Sequence, residues 1–277
     1  MEMSIPALLF LGVTVGAFGT LVGAGGGSLL VPVLLILYPQ MEPDVITAIS
    51  LAVVFLNATS GSVAYGWMKK TDYRTGWVFA AATVPGAILG VFAVNWLSRW
   101  SFDLLFGTLL LGLSLYLLIF PGPETTRAVF DCIPRCRLWP VSRSLVDAKG
   151  EVYDYSFCLG TGILASFVVG FVSSLLGIGG GIIHVPALIY LLHFPPHVAT
   201  ATSHFILAMM ALTGCVTHLL QGTYSGVLSM TLTIGVGAVI GAQVGAALSQ
   251  RVSGLAIVRS LGLALGVVGV RLLLLVV

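Results

Sequence analysis

The chain has 277 residues, of which 58% are hydrophobic and only 8% are charged, and its mean hydropathy is +1.08. A soluble globular domain is about one quarter charged, so this composition excludes that class and indicates a polytopic membrane protein. The net charge of +2 is too small to suggest a nucleic-acid partner. No motif for a cofactor or a metal ion is found in the sequence, and we expect neither.

The first half contains an interrupted apolar stretch followed by three predicted spans. Residues 5–22 are apolar and run into a glycine cluster, after which residues 28–38 are apolar again. As one helix these residues would measure roughly 50 Å, too long for one untilted span of about 30 Å and too short for two. We therefore predict a helix broken at the glycines, whose short second arm dips into the membrane. The three spans are predicted at 45–68, 75–97 and 102–120.

The second half repeats this pattern after a polar stretch at 121–155, where prolines and charges of both signs appear. The glycine cluster recurs with the same spacing, from Gly23 to Pro32 and from Gly177 to Pro186. The segments predicted there are 156–176, 182–192, 198–220, 225–248 and 255–276. The sequence thus predicts an all-α polytopic membrane protein of roughly 8–10 membrane helices. Its parts are a first repeat at 1–120, a linker at 121–155 and a second repeat at 156–277.

The distribution of charge favours inverted repeats. If each broken pair crosses the membrane net zero times, three spans remain in each half, and the second half is inverted. The basic residues outside the spans, with the exception of Arg99, then share one face with the arginines of the linker; they are Lys69, Lys70, Arg74 and Arg251. The positive-inside rule makes that face cytoplasmic. We expect a protein of the plasma membrane with a cytoplasmic linker and both termini outside.

The glycine clusters are the predicted substrate site. A helix that begins inside the membrane directs unsatisfied N–H groups and the positive end of its dipole into the protein, which suits a small anion. The residues assigned to this site are Gly23, Gly25, Gly26, Gly27, Ser28, Gly177, Gly179, Gly180 and Gly181. The alternative is that these glycines only permit close packing of helices. We assign that packing role to the spaced pairs Gly86/Gly90 and Gly237/Gly241.

Neutral polar side chains in the spans complete the predicted site. No acid or lysine lies deep in any span, which favours an anion over a cation as the substrate. The candidate side chains are Ser50, Asn57, Thr200, Thr202, Ser203 and His204. His184 and His204 are candidates for proton coupling, since histidine titrates near neutral pH, and a buried structural histidine is the alternative for each. Tyr65 and His218 correspond by repeat, and we predict that both anchor the protein at the membrane surface.

The duplicated Gly-x-Gly-Gly-Gly-x-x-x-x-Pro motif resembles the sulfite exporter TauE/SafE family of membrane permeases. The run Ala199-Thr200-Ala201-Thr202-Ser203 adds to the resemblance, which covers nearly the whole chain apart from the linker. The first half departs from it, with Ile49-Ser50 where the second half has Thr202-Ser203. The resemblance implies transport of sulfite, sulfonates or other small organosulfur anions across the plasma membrane.

Three other functions are weighed against this secondary transporter. A passive anion channel would use the same site without accumulating substrate. A membrane scaffold or a redox partner would work through Cys132 and Cys136 in the linker. No catalytic motif is found, so we do not expect an enzyme. The expected partners are the sulfur anion and the lipid bilayer, and a homodimer is left open.

Overall fold

The computed structural model describes residues 4–23, 25–119, 139–249, 251–252 and 254–276. Cys132 and Cys136, on which the redox alternative depends, lie outside these residues. The helices of the first half are α1 (Ile5–Val22), α2 (Gly27–Leu37), α3 (Pro43–Trp67), α4 (Tyr73–Val94) and α5 (Arg99–Ile119). Those of the second half are α6 (Leu159–Leu176), α7 (Gly181–Pro186), α8 (Pro196–Leu220), α9 (Leu228–Ser249) and α10 (Gly254–Val276). A π-helical turn, Ala187–Leu191, continues α7.

Among the described residues, seven helices are long and apolar enough to cross a membrane, namely α1, α3, α4, α5, α6, α8 and α9. Large apolar side chains project outward from these helices, as Leu89, Leu164 and Val236 do. All five tryptophans are exposed, from 55% for Trp77 to 87% for Trp96, in the manner of interfacial aromatic residues. The predicted multi-pass, predominantly helical membrane fold is confirmed.

The helix breaks predicted at the glycine clusters are also confirmed. Gly23 ends α1 with φ +83° and Gly177 ends α6 with φ +67°, a left-handed conformation that glycine adopts without a Cβ penalty. After the first break the chain turns back along α1, since a Cβ on Gly26 would lie 2.8 Å from a methyl group of Val15. Each break is therefore the turn of a helix pair whose second arm is short.

The first helix of each half packs on a later helix of the other half. Helix α1 packs on α9 and, in the matching way, α6 packs on α4. The spaced glycines lie in these contacts, where a Cβ on Gly86 or Gly90 would overlap the backbone of α6 and one on Gly237 or Gly241 would overlap the backbone of α1. Their predicted packing role is confirmed.

In two further contacts a helix packs on the helix that is equivalent to it in the other repeat. Helices α3 and α8 form the centre, with Thr47 opposite His218 and Gly61 opposite His204. Helices α5 and α10 form a second pair, in which the Ser114 hydroxyl donates to the Gly262 carbonyl at 2.7 Å. In the central pair the start of one helix lies beside the end of the other, so α3 and α8 are antiparallel.

A β-hairpin occupies the end of the segment predicted to be a linker. Strands β1 (Pro140–Val146) and β2 (Val152–Cys158) pair antiparallel, so the first helix of the second half begins at Leu159 rather than at 156. The all-helical prediction missed these strands. Their signal was the alternation of Val141, Arg143 and Leu145 with serines, before a turn at Lys149-Gly150. Cys158, which ends β2, is disulfide-bonded.

The hairpin is docked on the loop between α3 and α4. The Tyr155 hydroxyl donates to Asp72 Oδ2 at 2.9 Å, and Arg143 lies 3.8 Å from the same carboxylate oxygen. Asp72 also caps α4 by accepting from the N–H of Thr75. Burial and the adjacent Asp72 carboxylate raise the pKa of Tyr155, which keeps this hydroxyl a donor. The membrane face beneath the hairpin is called the hairpin face below.

Candidate functional site

The two glycine loops, 23–26 and 177–180, meet at the centre of the protein. A Cβ on Gly27 would lie 2.8 Å from the backbone oxygens of both Gly177 and Ile178, so the backbones of the two repeats touch there. Gly25 and Gly179 pack on Val54, which is close to the midpoint of the 25-residue helix α3. Leu207, at the matching point of α8, packs on Gly25 and Gly180. The loops thus lie at the level of the middle of the two central helices.

Left-handed backbone is required at matching positions of both loops. Besides Gly23 and Gly177, the glycines with positive φ are Gly25 (+71°), Gly26 (+84°), Gly179 (+75°) and Gly180 (+70°). Gly26 and Gly180 are the residues immediately before α2 and α7. A side chain at either position would strain the backbone, and it would also crowd Val15 at Gly26 and, less severely, Ser173 and Leu207 at Gly180.

Backbone donors are left over where α2 and α7 begin. No described carbonyl or side chain accepts a hydrogen bond from the N–H groups of Gly26, Gly27 and Ser28, nor, in the second loop, from those of Gly179, Gly180 and Ile182. The first N–H groups of any helix lack partners within the helix. When such groups are buried, leaving them without a hydrogen bond costs free energy. Both helix starts can therefore donate several hydrogen bonds to a small anion.

Several buried polar side chains of α3, α6 and α8 have unused hydrogen-bonding atoms. Within the described part of the chain no partner is found for Nδ2 of Asn57 or for the hydroxyls of Ser173, Ser174 and Ser203. Asn57 is held by the Thr20 hydroxyl, which donates to its Oδ1 at 3.0 Å and leaves the amide donor unused. A Cβ on Gly180 would lie 3.1 Å from the Ser173 hydroxyl, which places that hydroxyl against the second loop. Buried polar atoms without partners are uncommon in proteins. Ser173 lies against the second loop, whereas Ser174 lies on the side of Gly90 in α4.

His204 is fully buried between α3 and α8. Its ring packs against Gly61 and is edge-on to Tyr65, with the ring centres 5.4 Å apart. Neither ring nitrogen makes a hydrogen bond of standard geometry, although the carbonyl of Thr200 is close enough to interact. The equivalent residue of the first half is Leu51, which packs against Gly214 in the same way. One imidazole without an equivalent thus distinguishes the two sides of the centre.

The structure separates three of the predicted residues from this cluster. Thr202 accepts from the N–H of Asp72 at 3.0 Å and so faces the hairpin loop. His184 contacts the Ser166 hydroxyl at 3.1 Å and the ring of Phe79, on the side of α6. The Thr200 hydroxyl donates to the carbonyl of Pro196, and this side chain meets Gly23 through its methyl group. Thr202 and His184 therefore make their contacts with other parts of the protein, and Thr200 meets the first loop through its methyl group only; Nδ1 of His184 has no partner among the described residues.

Ser50 and Ser28 stay with the loops. The Ser50 hydroxyl donates to the Gly177 carbonyl at 2.5 Å and so braces the second loop, while Ser28 is buried in the first turn of α2. Gly181 begins α7 and donates its N–H to the Gly179 carbonyl at 2.8 Å.

The prediction that Tyr65 and His218 anchor the protein at the membrane surface is wrong. Both are buried in the helix bundle, where the Tyr65 hydroxyl donates to the Thr20 carbonyl at 2.8 Å and His218 faces Thr47. The sequence did contain one signal for a shared buried role, namely that Tyr65 and His218 occupy matching positions of the two repeats. Distance from the helix centre was misleading because α3 and α8 are enclosed along nearly their whole length.

Comparison with known proteins agrees with this architecture. The family model described as Sulfite exporter TauE/SafE matches residues 8–272. The chain is 33% identical over 277 residues to the probable membrane transporter protein YunE of Bacillus subtilis, with 98% of each chain covered. It is 23% identical to a probable membrane transporter protein of Methanocaldococcus jannaschii, over 98% of this chain and 96% of the relative. No solved structure matches the chain significantly.

Proposed function

The chain belongs to the sulfite exporter TauE/SafE family and is a multi-pass membrane transporter, not an enzyme; from this premise we propose that it is a secondary transporter of small sulfur-containing anions. The anion binds between the starts of α2 and α7. Sulfite and organosulfonates are compact oxyanions, and several N–H donors around one site suit their oxygen atoms. The family description names sulfite, which supports this choice of substrate class.

The leftover N–H donors at the two helix starts carry the proposal. Each helix end favours a nearby anion by roughly 0.3–2 kcal/mol, which is enough for two ends to bind it and too little to prevent its release. The unused Nδ2 of Asn57 adds a donor, whereas no carboxylate of the described helices lies beside the loops to repel an anion.

The two repeats are related by an axis in the membrane plane. An axis along the membrane normal would leave equivalent helices parallel, whereas an in-plane axis makes them antiparallel. The antiparallel contact of α3 with α8 supports the second case, and Ser114 on Gly262 joins the other equivalent pair. Inverted repeats bring the positive ends of two half-helices toward one site, as in other secondary transporters.

Apolar side chains fill the space between the loops, which favours a carrier over an open channel. Val54 and Leu207 are buried between the loops, where they pack on Gly25, Gly179 and Gly180. Binding then requires these two side chains, and the helices that carry them, to move. Alternating access by relative movement of the two repeats supplies such a motion.

Flux into liposomes tests the function. We expect purified protein to move radiolabelled sulfite or a sulfonate across the bilayer at a rate at least about tenfold above protein-free vesicles, the margin set by a barrier lower by about 1.4 kcal/mol. A chloride or sulfate tracer serves as the comparison for selectivity. Absence of flux for every sulfur anion tested would refute the proposed substrate class.

A pH gradient applied in the same vesicles tests proton coupling through His204. We expect accumulation against the substrate gradient in the parent protein. The variant His204→Leu has at position 204 the residue type that the first half has at the equivalent position, Leu51. For this variant we expect downhill flux without accumulation. The reason is that Leu packs against Gly61 but cannot take up a proton. His184→Leu is the control, because His184 faces α6 rather than the loops. Equal accumulation in all three proteins would remove His204 from the mechanism.

We infer that the hairpin face is cytoplasmic. Lys69, Lys70, Arg143 and Lys149 belong to the hairpin or to the loop on which it docks, and Arg74 lies in the first turn of α4, as the positive-inside rule requires. Arg99, on the opposite side, is held between Asp103 at 3.0 Å and the carbonyls of Leu35 and Met41, so its charge is used within the protein. The disulfide of Cys158 argues for the other orientation, because disulfides are rare in the cytosol.

Thiol labelling in intact cells decides the orientation. Ser144 in β1 and Asn95 after α4 are exposed on opposite sides of the protein. With a membrane-impermeant maleimide we expect Asn95→Cys to be labelled and Ser144→Cys to be protected, each compared with the parent protein. The reverse pattern would place the hairpin outside the cytoplasm.

A further inference from the structure

A cavity with a few charged and polar side chains in a mainly apolar wall, separate from the glycine loops, opens at the hairpin face. It has a volume of about 340 Å³ and lies where the ends of α3 and α9 meet the turn of the hairpin. Its polar lining consists of Lys70, Asp147, Lys149 and Gln243, and Ala64 and Ala246 belong to its wall. This cavity is called the vestibule below.

The vestibule has a positive balance of charge. Two ammonium groups line it against one carboxylate, and Lys70 Nζ lies 3.8 Å from Asp147 Oδ2. Burial opposes the charge of Asp147, but the N–H groups of Glu151 and Lys149 and the nearby Lys70 outweigh it and lower the pKa of the carboxyl. Asp147 is therefore anionic at neutral pH. A concave site with net positive charge concentrates anions from solution.

One aromatic ring separates the vestibule from the central site. Tyr65 packs with Ala64 and Ala246, both of which line the vestibule, and on its other side it meets His204. Its hydroxyl reaches the carbonyl of Thr20, whose side chain holds Asn57. The vestibule is thus adjacent to the polar cluster at the loops and is not an isolated surface feature.

We propose that the vestibule is a docking site for the transported anion at the hairpin face, with Lys70 as the group that receives it. This inference rests on the proposed function. Asp147 competes with the anion for Lys70 and so limits how tightly the anion is held. Rapid docking and release at such an outer site favour transport, because conduction requires that bound ions can leave.

Two charge-removing variants, for which we expect opposite effects on the concentration for half-maximal flux, test this assignment. In liposomes that carry sulfite or sulfonate on the hairpin side, we expect Lys70→Gln to raise the concentration for half-maximal flux by about threefold or more, as loss of an attracting charge does. We expect Asp147→Asn to lower that concentration, while the Asn carbonyl can still accept the N–H groups of Lys149 and Glu151 that Asp147 Oδ1 binds. The matched control is Lys69→Gln, which removes the same charge from an exposed neighbour outside the vestibule lining.

The outcomes separate this inference from the proposed function. Parent protein without any flux would refute the function itself, whereas normal flux with equal concentration dependence in Lys70→Gln and Lys69→Gln would overturn the vestibule alone. A lipid headgroup offers the same oxyanion chemistry, so the measurements are repeated in purely zwitterionic and in partly anionic vesicles. An effect of Lys70→Gln that is present only with anionic lipid would also overturn the assignment.

Discussion

Replacing Asn57 by Asp is expected to abolish anion transport while leaving the fold intact. The two side chains have the same shape, and the Asp carboxylate still accepts the hydrogen bond from Thr20 that Asn57 accepts at 3.0 Å. The unused donor Nδ2 is replaced by an oxygen that carries negative charge. Like charges brought together in a buried site cost several kcal/mol, and we therefore expect at least about a 100-fold lower sulfonate flux.

The pH dependence of this variant distinguishes a binding role from a packing role. A sulfonate stays anionic in mild acid, whereas a buried carboxyl becomes neutral there and then donates a hydrogen bond. We expect the flux of Asn57→Asp to recover in part as the pH falls, while the parent protein gains nothing comparable. The matched control is Asn95→Asp, an identical change at an exposed position after α4. Normal flux in Asn57→Asp at neutral pH would remove Asn57 from the site.

Replacing Gly180 by Ala is expected to lower flux by about tenfold or more by distorting the second loop. Gly180 has φ +70° immediately before α7, and its new methyl group would lie 3.1 Å from the Ser173 hydroxyl and 3.2 Å from a methyl group of Leu207. Left-handed backbone costs an L-residue roughly 1–2 kcal/mol. We expect the chain to relieve this strain by rotating the N–H groups of Gly179 and Gly180 away from the anion. Flux into liposomes is the measurement, and Gly180→Val should lower it further.

A second glycine with the same backbone conformation provides the control. Gly222 has φ +74° in the turn after α8, and a Cβ there would meet no heavy atom within 4 Å. Gly222→Ala therefore imposes a similar backbone penalty far from the loops. Equal loss of flux in the two variants would mean that general destabilisation, rather than the site, explains the result. Thermal unfolding of both variants in detergent measures that destabilisation directly.

Much of the helical architecture could be predicted from the sequence because membrane helices obey local rules. A segment such as Ile5–Val22 must bury its backbone polar groups within itself, so length and apolarity alone identify it. The breaks at Gly23 and Gly177 are equally local, since consecutive glycines end a helix through their own backbone freedom. The duplication was visible for the same reason, because equal spacing of glycine and proline needs no tertiary information.

Which side chains point toward the loops was decided by the tertiary structure. Thr202 and Ser203 are neighbours in sequence, yet the first faces the loop of Asp72 and the second keeps an unused hydroxyl in the core. Likewise His184 turns to α6, whereas His204 meets Tyr65. Helical periodicity orders residues around one helix, but the partner on each side depends on how distant helices pack. Residue type alone could therefore indicate both histidines as candidates for proton coupling, but it could not show which of them lies at the centre.

The hairpin and the vestibule likewise required the folded protein. Lys70 and Asp147 are 77 positions apart (147 − 70), and only the docking of the hairpin on the loop after α3 brings their charges within 3.8 Å. By itself the sequence determined the membrane class, the helices, the breaks and the repeat, all of which follow from local chemistry and spacing. The tertiary structure decided which donors surround the loops and which charges line the approach to them, because those depend on contacts between residues remote in the chain.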